Sequence, residues 1–333
     1  MNKTNINFNQ IINKHRALFF FLFLFVLLSI FAPNFFNFYN FTAILKGASL
    51  NIIVAIGFTV ILISGELDLS IGSVVMLCGM LVIGLQPELG WTFSVLVSLL
   101  AGVGVGLING ILVTKAKIDS FIVTLGMMTI LEGVMHLYSG GNSMFVNDFV
   151  MADWLETPVI PLLPPRVIIT IVLVAVAALV LKKTRFGRGI YMVGSNAETA
   201  WLAGLNKDMY KISSFVICSS MSAAGGILFA MSLSSMAGNA ILGNRTLMTV
   251  LAAVIIGGAG LNGGKGNVIK SAFGVLLLTT LFNGVGCFGL GFEIQIFLNG
   301  LILAVVVLYE AYADYKHRLV KGQRGYLLEE LEE

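Results

Sequence analysis

Apolar residues form about ten long runs along this chain, and short polar, glycine-rich or charged segments separate the runs. About 20 helical residues cross a hydrocarbon core of roughly 30 Å, and a helix satisfies every backbone polar group internally. The pattern predicts an all-α, polytopic transmembrane bundle of about ten helices, with crossings near 17–32, 44–63, 71–85, 93–113, 121–138, 167–181, 213–233, 247–257, 267–287 and 294–310. The runs 71–85 and 247–257 are too short to span upright, so we expect half-helices there or extensions into the neighbouring loops.

The composition also indicates a membrane protein. Hydrophobic residues make up 57% of the chain, charged residues make up 11%, and the mean hydropathy is +0.94, whereas soluble domains carry about 25% charged residues. The cysteines Cys78, Cys218 and Cys287 lie inside apolar runs and lack the spacing of a disulfide framework or a metal site. We therefore expect membrane lipid as the surroundings, and no metal, cofactor or nucleic-acid partner.

The basic residues gather in alternate connections. If the N-terminus lies inside, all but three of the 20 lysines and arginines fall on the inner side, and the exceptions are Lys46, Arg166 and Arg245. The positive-inside rule then predicts that both termini are cytoplasmic. The predicted organisation is a cytoplasmic segment 1–16, a transmembrane domain 17–310 with an inner loop 182–212, and a cytoplasmic tail 311–333.

Two further segments are interpreted from their composition. The basic leader and the run 17–32 are interpreted as a retained first helix, since no small-residue cleavage site follows them. The long connection 139–165 carries three acidic residues and a proline-rich end. We expect it to be an exposed loop on the outer face.

The segment 64–72 places two carboxylates, Glu66 and Asp68, between apolar runs with no basic residue near them in the sequence. Acidic groups near membrane depth are costly and often functional. Asp68 or Ser70 could cap the helix that begins at Ile71, where free N–H groups favour an anionic oxygen. Alternatively, the segment interrupts a helix beside a solute path. Both interpretations can hold together.

A short helix is predicted within the inner loop. Ser195 and Glu198 have the spacing of a capping box, and Gly204 stands where a left-handed helix terminator is expected. Over about two turns, Ala197, Ala200 and Trp201 would share one face. So short a helix is marginal in water by itself. Either a partner protein or the lipid headgroups would stabilise it.

Glycine dominates two other segments. The segment 257–266 does not match a phosphate-binding loop, because Gly266 follows Lys265 and Ala259 occupies an earlier glycine position. We expect a tight re-entrant turn that lets helices approach closely. Glycines 102, 106 and 110 have the four-residue spacing of a helix-packing face.

The chain has no motif of a metalloprotease, serine hydrolase or redox enzyme, so an intramembrane enzyme has little support.

Three segments, in the same order, resemble the ribose-type sugar permeases of bacterial ABC importers. They are 65–72, the run 186–188 leading to 194–198, and 252–258 with the later 263–266. The similarity extends from about residue 20 to residue 310. One departure is that such permeases often carry two acids just before Ala252, where this chain has Leu247 and Thr249 preceded by Asn244 and Arg245. This departure suggests a different outer surface, a heteromeric pair or a divergent substrate subgroup.

The resemblance implies a non-catalytic permease subunit of the bacterial inner membrane. Its partners would be a second permease copy or paralogue, two cytoplasmic ATPase subunits that hydrolyse ATP, and an external solute-binding protein. The inner-loop helix would be the coupling helix that docks into the ATPase, moved by ATP binding. The residues that would couple to the ATPase are Ser195, Asn196, Ala197, Glu198, Ala200, Trp201 and Gly204.

The implied solute is a monosaccharide or a similar small polar molecule. Polar residues in or beside the predicted helices could line its path, although each can instead make a helix–helix hydrogen bond; they are Asn51, Glu66, Asp68, Ser70, Asn109, Thr124 and Asn283. Two alternatives stay open. The same kind of permease could carry a branched-chain amino acid or a furanosyl signalling molecule, or the chain could be an ion-coupled secondary transporter that uses Glu66 and Asp68.

Overall fold

The computed structural model describes residues 16–237 and 241–332. The described chain is almost entirely helical, as membrane crossings require. The helices are α1 (Arg16–Phe31), α2 (Phe38–Ile63), α3 (Ile71–Thr114), α4 (Ser120–Ser139), α5 (Val150–Glu156), α6 (Pro165–Lys183), α7 (Arg185–Ser195), α8 (Ala197–Leu202), α9 (Lys207–Leu233), α10 (Ile241–Ile256), α11 (Val268–Cys287) and α12 (Phe292–Glu332), and the strands are β1 (Met144–Phe145) and β2 (Ser235–Met236).

Each predicted crossing has a helix in the described part of the chain. Seven helices are long and apolar enough to span a membrane, and α1 and α10 are shorter apolar helices. One of the seven, α3, holds two crossings, because Gly90 has a φ of 68° and interrupts the helix. A Cβ atom at Gly102 would lie 3.6 Å from the Sγ atom of Cys78, so the two halves of α3 lie side by side. The prediction of an all-α transmembrane bundle is confirmed.

The two short predicted crossings are longer helices in the structure. The run 71–85 continues toward the turn at Gly90, and the run 247–257 begins earlier, at Ile241. At the other end of the chain, the backbone from residue 311 continues the last helix, since α12 extends from Phe292 to Glu332. The inner loop 182–212 is also largely helical and contains α7, α8 and the start of α9.

Glycine allows α9 to pack closely against α3. A Cβ atom at Gly106 would lie 2.7 Å from the carbonyl oxygen of Phe215, and one at Gly110 would lie 2.9 Å from the Cα atom of Ile212. These approaches are too close for any side chain on α3. The face formed by glycines 102, 106 and 110 is therefore a helix-packing face, as predicted.

The connection between α4 and α6 differs from the exposed loop that we expected. β1 pairs antiparallel with β2, so that Met144 lies opposite Met236. Val146 and Leu155 of this connection are buried. The acidic and proline-rich composition suggested exposure, but the apolar residues between the acids anchor the segment onto the bundle. We refer to this end of the bundle as the α5 end and to the opposite end as the α8 end.

Glu156, the last residue of α5, binds two of the three basic residues that were predicted to lie on the outer side. Its Oε2 atom is 2.7 Å from the Nζ atom of Lys46, and its Oε1 atom is 2.5 Å from Nη1 of Arg166. All three side chains are partly buried. This one carboxylate therefore ties α5 to α2 and α6, and it is shared between two positive charges.

Candidate functional site

A cavity of about 610 Å³ opens between α2, α9, α10, α11 and α12, in the half of the bundle nearest the α5 end. This volume is within the usual range for sites that bind small molecules. Polar and apolar side chains share its walls. The polar lining includes Asn51, Arg245, Thr246, Thr249, Asn283 and Gln295.

Two of the predicted path residues, Asn51 and Asn283, lie in this cavity. Asn283 exchanges two hydrogen bonds with Asn40: its Nδ2 atom donates to Oδ1 of Asn40 at 2.8 Å, and Nδ2 of Asn40 donates to Oδ1 of Asn283 at 3.0 Å. The Oδ1 atom of Asn51 is buried and has no hydrogen-bond partner. An unpartnered buried acceptor is costly unless a donor reaches it. Asn51 is therefore the more available of the two amides for a bound molecule.

Arg245 is the cationic residue of the cavity wall. Its Nη2 atom donates to Oε1 of Gln295 at 2.9 Å. Its guanidinium carbon lies 4.9 Å from the ring centre of Phe292 and 5.9 Å from that of Phe282. Aromatic faces attract a guanidinium group at such distances. The two rings and the glutamine thus hold the charged group in a defined position.

Asp68, Ser70 and Asn109 form a hydrogen-bonded network at the α8 end and do not line the cavity. Oδ1 of Asp68 accepts from the backbone nitrogen of Ser70 at 2.9 Å and from its hydroxyl at 2.5 Å. Nδ2 of Asn109 donates to the same hydroxyl at 3.1 Å. Ser70 is the N-cap residue of α3, but its side chain caps no helix N–H group. The capping interpretation is therefore wrong, because Oδ1 of Asp68 binds Ser70 and not a helix N–H group, while Oδ2 of Asp68 is buried without a hydrogen-bond partner.

The Asp68 carboxyl group is fully buried. Burial raises its pKa to about 6, although the hydrogen bonds from Ser70 and Asn109 act in the opposite direction. Thr124 also lies outside the cavity, and its hydroxyl donates to the carbonyl oxygen of Ser120 in its own helix at 2.7 Å. The Thr124 hydroxyl is therefore used within α4.

Glu66 has a basic partner that is distant in the sequence. Its carboxylate forms an ion pair with the Nζ atom of Lys211, near the start of α9. The two residues are 145 positions apart, so the local sequence around Glu66 gave no sign of the contact. Glu66 has no basic neighbour in the sequence, but it has one in the folded protein. The ion pair links the α2–α3 connection to α9.

Three glycine-containing segments meet at the α8 end. The backbone nitrogen of Gly264 donates to the carbonyl oxygen of Ile63 at 2.9 Å, and the hydroxyl of Tyr191 donates to the carbonyl oxygen of Gly266 at 2.8 Å. A Cβ atom at Gly194 would lie only 1.7 Å from that oxygen of Ile63. The segment 257–266 is the tight turn that was predicted, and it joins α7 to the end of α2.

The short helix α8 exists, but its cap differs from the prediction. Oδ1 of Asn196 accepts from the backbone nitrogens of Glu198 at 3.0 Å and of Thr199 at 2.9 Å. Ser195 instead ends α7, where its hydroxyl donates to the carbonyl oxygen of Tyr191. The capping box is therefore wrong, because Ser195 lies one residue too early to reach the first turn of α8.

The predicted end of α8 is confirmed. Gly204 has a φ of 82°, and its backbone nitrogen donates to the carbonyl oxygen of Trp201 at 2.9 Å. The backbone nitrogen of Leu205 donates to the carbonyl oxygen of Ala200 at 3.0 Å. This pair of bonds is a Schellman motif, which glycine favours because it adopts the left-handed conformation without strain.

The predicted shared face of α8 is not observed. Ala200 is buried against α7 and α9, at 1% exposure, and Ala197 is partly buried. Trp201 and Leu202 are 63% and 78% exposed. α8 therefore rests on the bundle through Ala200 and presents Trp201 and Leu202 outward.

Comparison with known proteins identifies the family of this chain. Residues 40–308 match the family described as branched-chain amino acid transport system / permease component. The chain belongs to this permease family.

The permease has curated relatives that align over most of its length. It is 34% identical to the autoinducer 2 import system permease protein of Yersinia enterocolitica, over 90% of this chain and 84% of the relative. It is 31% identical to the ribose import permease protein of Escherichia coli K12, over 89% and 93%. It is also 31% identical to the ribose import permease protein of Haemophilus influenzae, over 94% and 98%. No solved structure matches the permease.

Sequence reasoning missed Arg245 and Gln295 as cavity residues of the permease. A signal for Arg245 was present, since it is one of three basic residues on the predicted outer side and precedes the two positions at which the resemblance departs, Leu247 and Thr249. Gln295 carried no such signal, because a polar residue at the start of an apolar helix is ordinary. Leu202 was also missed, since its exposure depends on how α8 sits on the bundle.

Proposed function

We propose that the permease is the translocating subunit of an ATP-binding-cassette importer in the bacterial inner membrane. It forms the path for a monosaccharide or a similar small polar solute, which an external binding protein delivers. The curated relatives are import permeases for ribose and for autoinducer 2, and the polar cavity near the α5 end suits a small hydroxylated molecule.

The observation that carries the proposal is the exposed tip of α8. Trp201 and Leu202 project from a helix that is capped at both ends and seated on the bundle through Ala200. Large exposed aromatic and aliphatic groups on a fixed helix are typical anchors for a protein partner. We assign this tip to docking with a cytoplasmic ATPase subunit, while a second permease subunit completes the path.

The junction beside α8 supports a mechanical role. Gly194 near the end of α7 packs against Ile63 at the end of α2, and Gly264 is hydrogen-bonded to the same carbonyl group. A displacement of α7 and α8 by the ATPase would therefore reach α2 and the segment 257–266 directly. ATP binding can shift the permease between two states only if the ATPase binds the two states differently.

The alternatives rest on weaker observations. An ion-coupled transporter would need an accessible carboxylate, but Glu66 is paired with Lys211, and Asp68 is fully buried with one oxygen held by Ser70. A branched-chain amino acid would suit the description of the family, whereas the curated relatives are named as permeases for other solutes. Uptake competition with unlabelled pentoses, hexoses and branched-chain amino acids would separate the cargo classes.

The test of the proposal is a co-purification from native membranes. Trp201→Glu is expected to abolish recovery of the ATPase while the amount of inserted permease stays unchanged, because a charge replaces an apolar anchor. Trp154→Glu is the matched control, since Trp154 is 55% exposed at the α5 end. Full recovery of the ATPase with Trp201→Glu would refute the docking role. Transport by the isolated permease in liposomes, driven by an ion gradient alone, would refute the importer.

A further inference from the structure

Arg245 differs from the other two basic residues of the α5 half of the bundle. Lys46 and Arg166 are both bound by Glu156. Among the residues that the structure describes, no Asp or Glu oxygen lies within 4.0 Å of the Arg245 guanidinium nitrogens. No acidic residue lines the cavity either. The cavity thus carries a partly buried positive charge that no described acidic residue balances, and removing such a charge from water is costly.

The guanidinium group is positioned before any molecule binds. The rings of Phe282 and Phe292 flank it, and Gln295 accepts from its Nη2 atom. A guanidinium group offers five N–H donors in a planar fork that matches a carboxylate. Arg245 also lines a second cavity of about 320 Å³ between α10 and α12. The group is therefore both fixed and accessible.

The remaining polar groups of the cavity are neutral. The Asn51 Oδ1 atom can accept from a hydroxyl group, and Thr246 and Thr249 are buried in the same wall. Neutral amides and hydroxyls match the hydroxyl groups of a solute, whereas they cannot balance a charge. The chemistry of the lining is therefore a single cation among groups that recognise hydroxyls.

We propose that the cavity binds a small polyhydroxylated monocarboxylate, a sugar acid, with its carboxylate against Arg245. This inference rests on the proposed function and specifies the class of its solute. A neutral sugar would displace water from the guanidinium group without supplying an anion. A phosphate monoester would carry close to two negative charges against one cation. A monocarboxylate balances the charge.

The test is equilibrium binding to the full-length permease in lipid nanodiscs. The radiolabelled probes are D-galacturonate, its neutral counterpart D-galactose, and D-galactose 6-phosphate. We expect saturable binding of galacturonate with a Kd at or below about 10 mM, and binding of the other two that is at least roughly tenfold weaker. Arg245→Gln is expected to weaken galacturonate binding by about 30-fold or more, because it removes one partner of an enclosed charge pair.

Two further variants sharpen the test. Arg245→Lys keeps the charge but loses the planar fork, so galacturonate binding is expected to fall between the wild type and Arg245→Gln. Lys115→Gln removes one positive charge at the α8 end, where Lys115 is exposed and pairs with Asp208. Its binding of galacturonate is expected to match the wild type. Thermal unfolding of each variant shows whether the fold is retained.

Several outcomes would overturn the inference. They are no saturable binding of galacturonate to the wild type, equal binding of galactose, tighter binding of the phosphate ester, or unchanged binding in a folded Arg245→Gln variant. None of these outcomes bears on recovery of the ATPase with the wild type and with Trp201→Glu. Failure of the solute class and failure of the importer proposal are therefore distinguishable.

Discussion

Gly194 is the position at which one added methyl group should have the largest effect on the α8 end. A Cβ atom there would lie 1.7 Å from the carbonyl oxygen of Ile63. Real Cβ atoms essentially never come within 3.0 Å of a non-bonded heavy atom. The same oxygen accepts from the backbone nitrogen of Gly264 at 2.9 Å. Gly194→Ala must therefore move α7 away from α2 by more than 1 Å and disturb that hydrogen bond.

The size of the effect follows from these two changes. Overpacking costs about 1–3 kcal/mol, and a lost hydrogen bond costs about 0.5–1.5 kcal/mol. We expect Gly194→Ala to lower the free energy of unfolding by about 2–4 kcal/mol. At about 2.1 cal/mol/K of unfolding entropy per residue, the thermal midpoint of this 333-residue chain should fall by roughly 3–6 °C. The backbone of Gly194 needs no positive φ, so the cost is steric.

The assay is thermal unfolding of the purified permease in detergent, followed by intrinsic fluorescence. Gly104→Ala is the matched control, because nothing lies within 4 Å of a Cβ atom there, and alanine favours a helix over glycine by about 1 kcal/mol. Gly204→Ala adds only the strain of a left-handed alanine, since its φ is 82° and its surroundings are open. A midpoint for Gly194→Ala that is no lower than that of Gly204→Ala would refute the steric reasoning.

Three further perturbations test other contacts. Asn196→Ala removes both cap bonds of α8 and should cost about 0.5–2 kcal/mol of helix stability, so hydrogen exchange of the α8 amides should accelerate. Asn196→Asp should restore the protection, and unchanged exchange in the alanine variant would contradict the cap. Glu156→Gln leaves Lys46 and Arg166 without their anion and should cost about 1–3 kcal/mol, measured as a lower thermal midpoint; an unchanged midpoint would show that the ion pairs contribute nothing net. Gly106→Leu forces α3 away from α9 and should abolish a monodisperse gel-filtration peak, whereas Gly126→Ala, in open surroundings, should keep it. A monodisperse Gly106→Leu variant would contradict the close packing.

The crossings of this bundle were predictable because membrane helices must be apolar and long, and both properties are local. The ends were less predictable, since α10 begins at Ile241, six residues before the predicted crossing at residue 247. Residues such as Asn244 and Arg245 interrupt the hydropathy there without interrupting the helix. The turn at Gly90 was placed correctly between two crossings because proline, glutamate and glycine break the apolar pattern around it.

The candidate site was only partly predictable, because its members come from distant parts of the chain. Asn51 and Asn283 were expected to be candidates for a polar path, and both line the same cavity. Glu66 and Asp68 looked equally suitable by sequence. Lys211, which pairs with Glu66, and Asn109, which donates to the Ser70 hydroxyl beside Asp68, become visible only when the helices pack. Local spacing likewise favoured Ser195 as a cap, but the end of α7 takes that residue and leaves Asn196.

The ion pairs of Glu156 also have a consequence during synthesis. Lys46 precedes Glu156 by 110 residues, and ribosomes add about 5–20 residues per second. The ammonium group of Lys46 therefore exists for roughly 5–20 s before the carboxylate that neutralises it has been made. Membrane orientation responds to lysine and arginine near helix ends and hardly to acids, so Lys46 counts as a full positive charge while the early helices insert. Only afterwards does Glu156 pair with Lys46, so the charge that α2 presents during membrane insertion differs from the electrostatics of the finished protein.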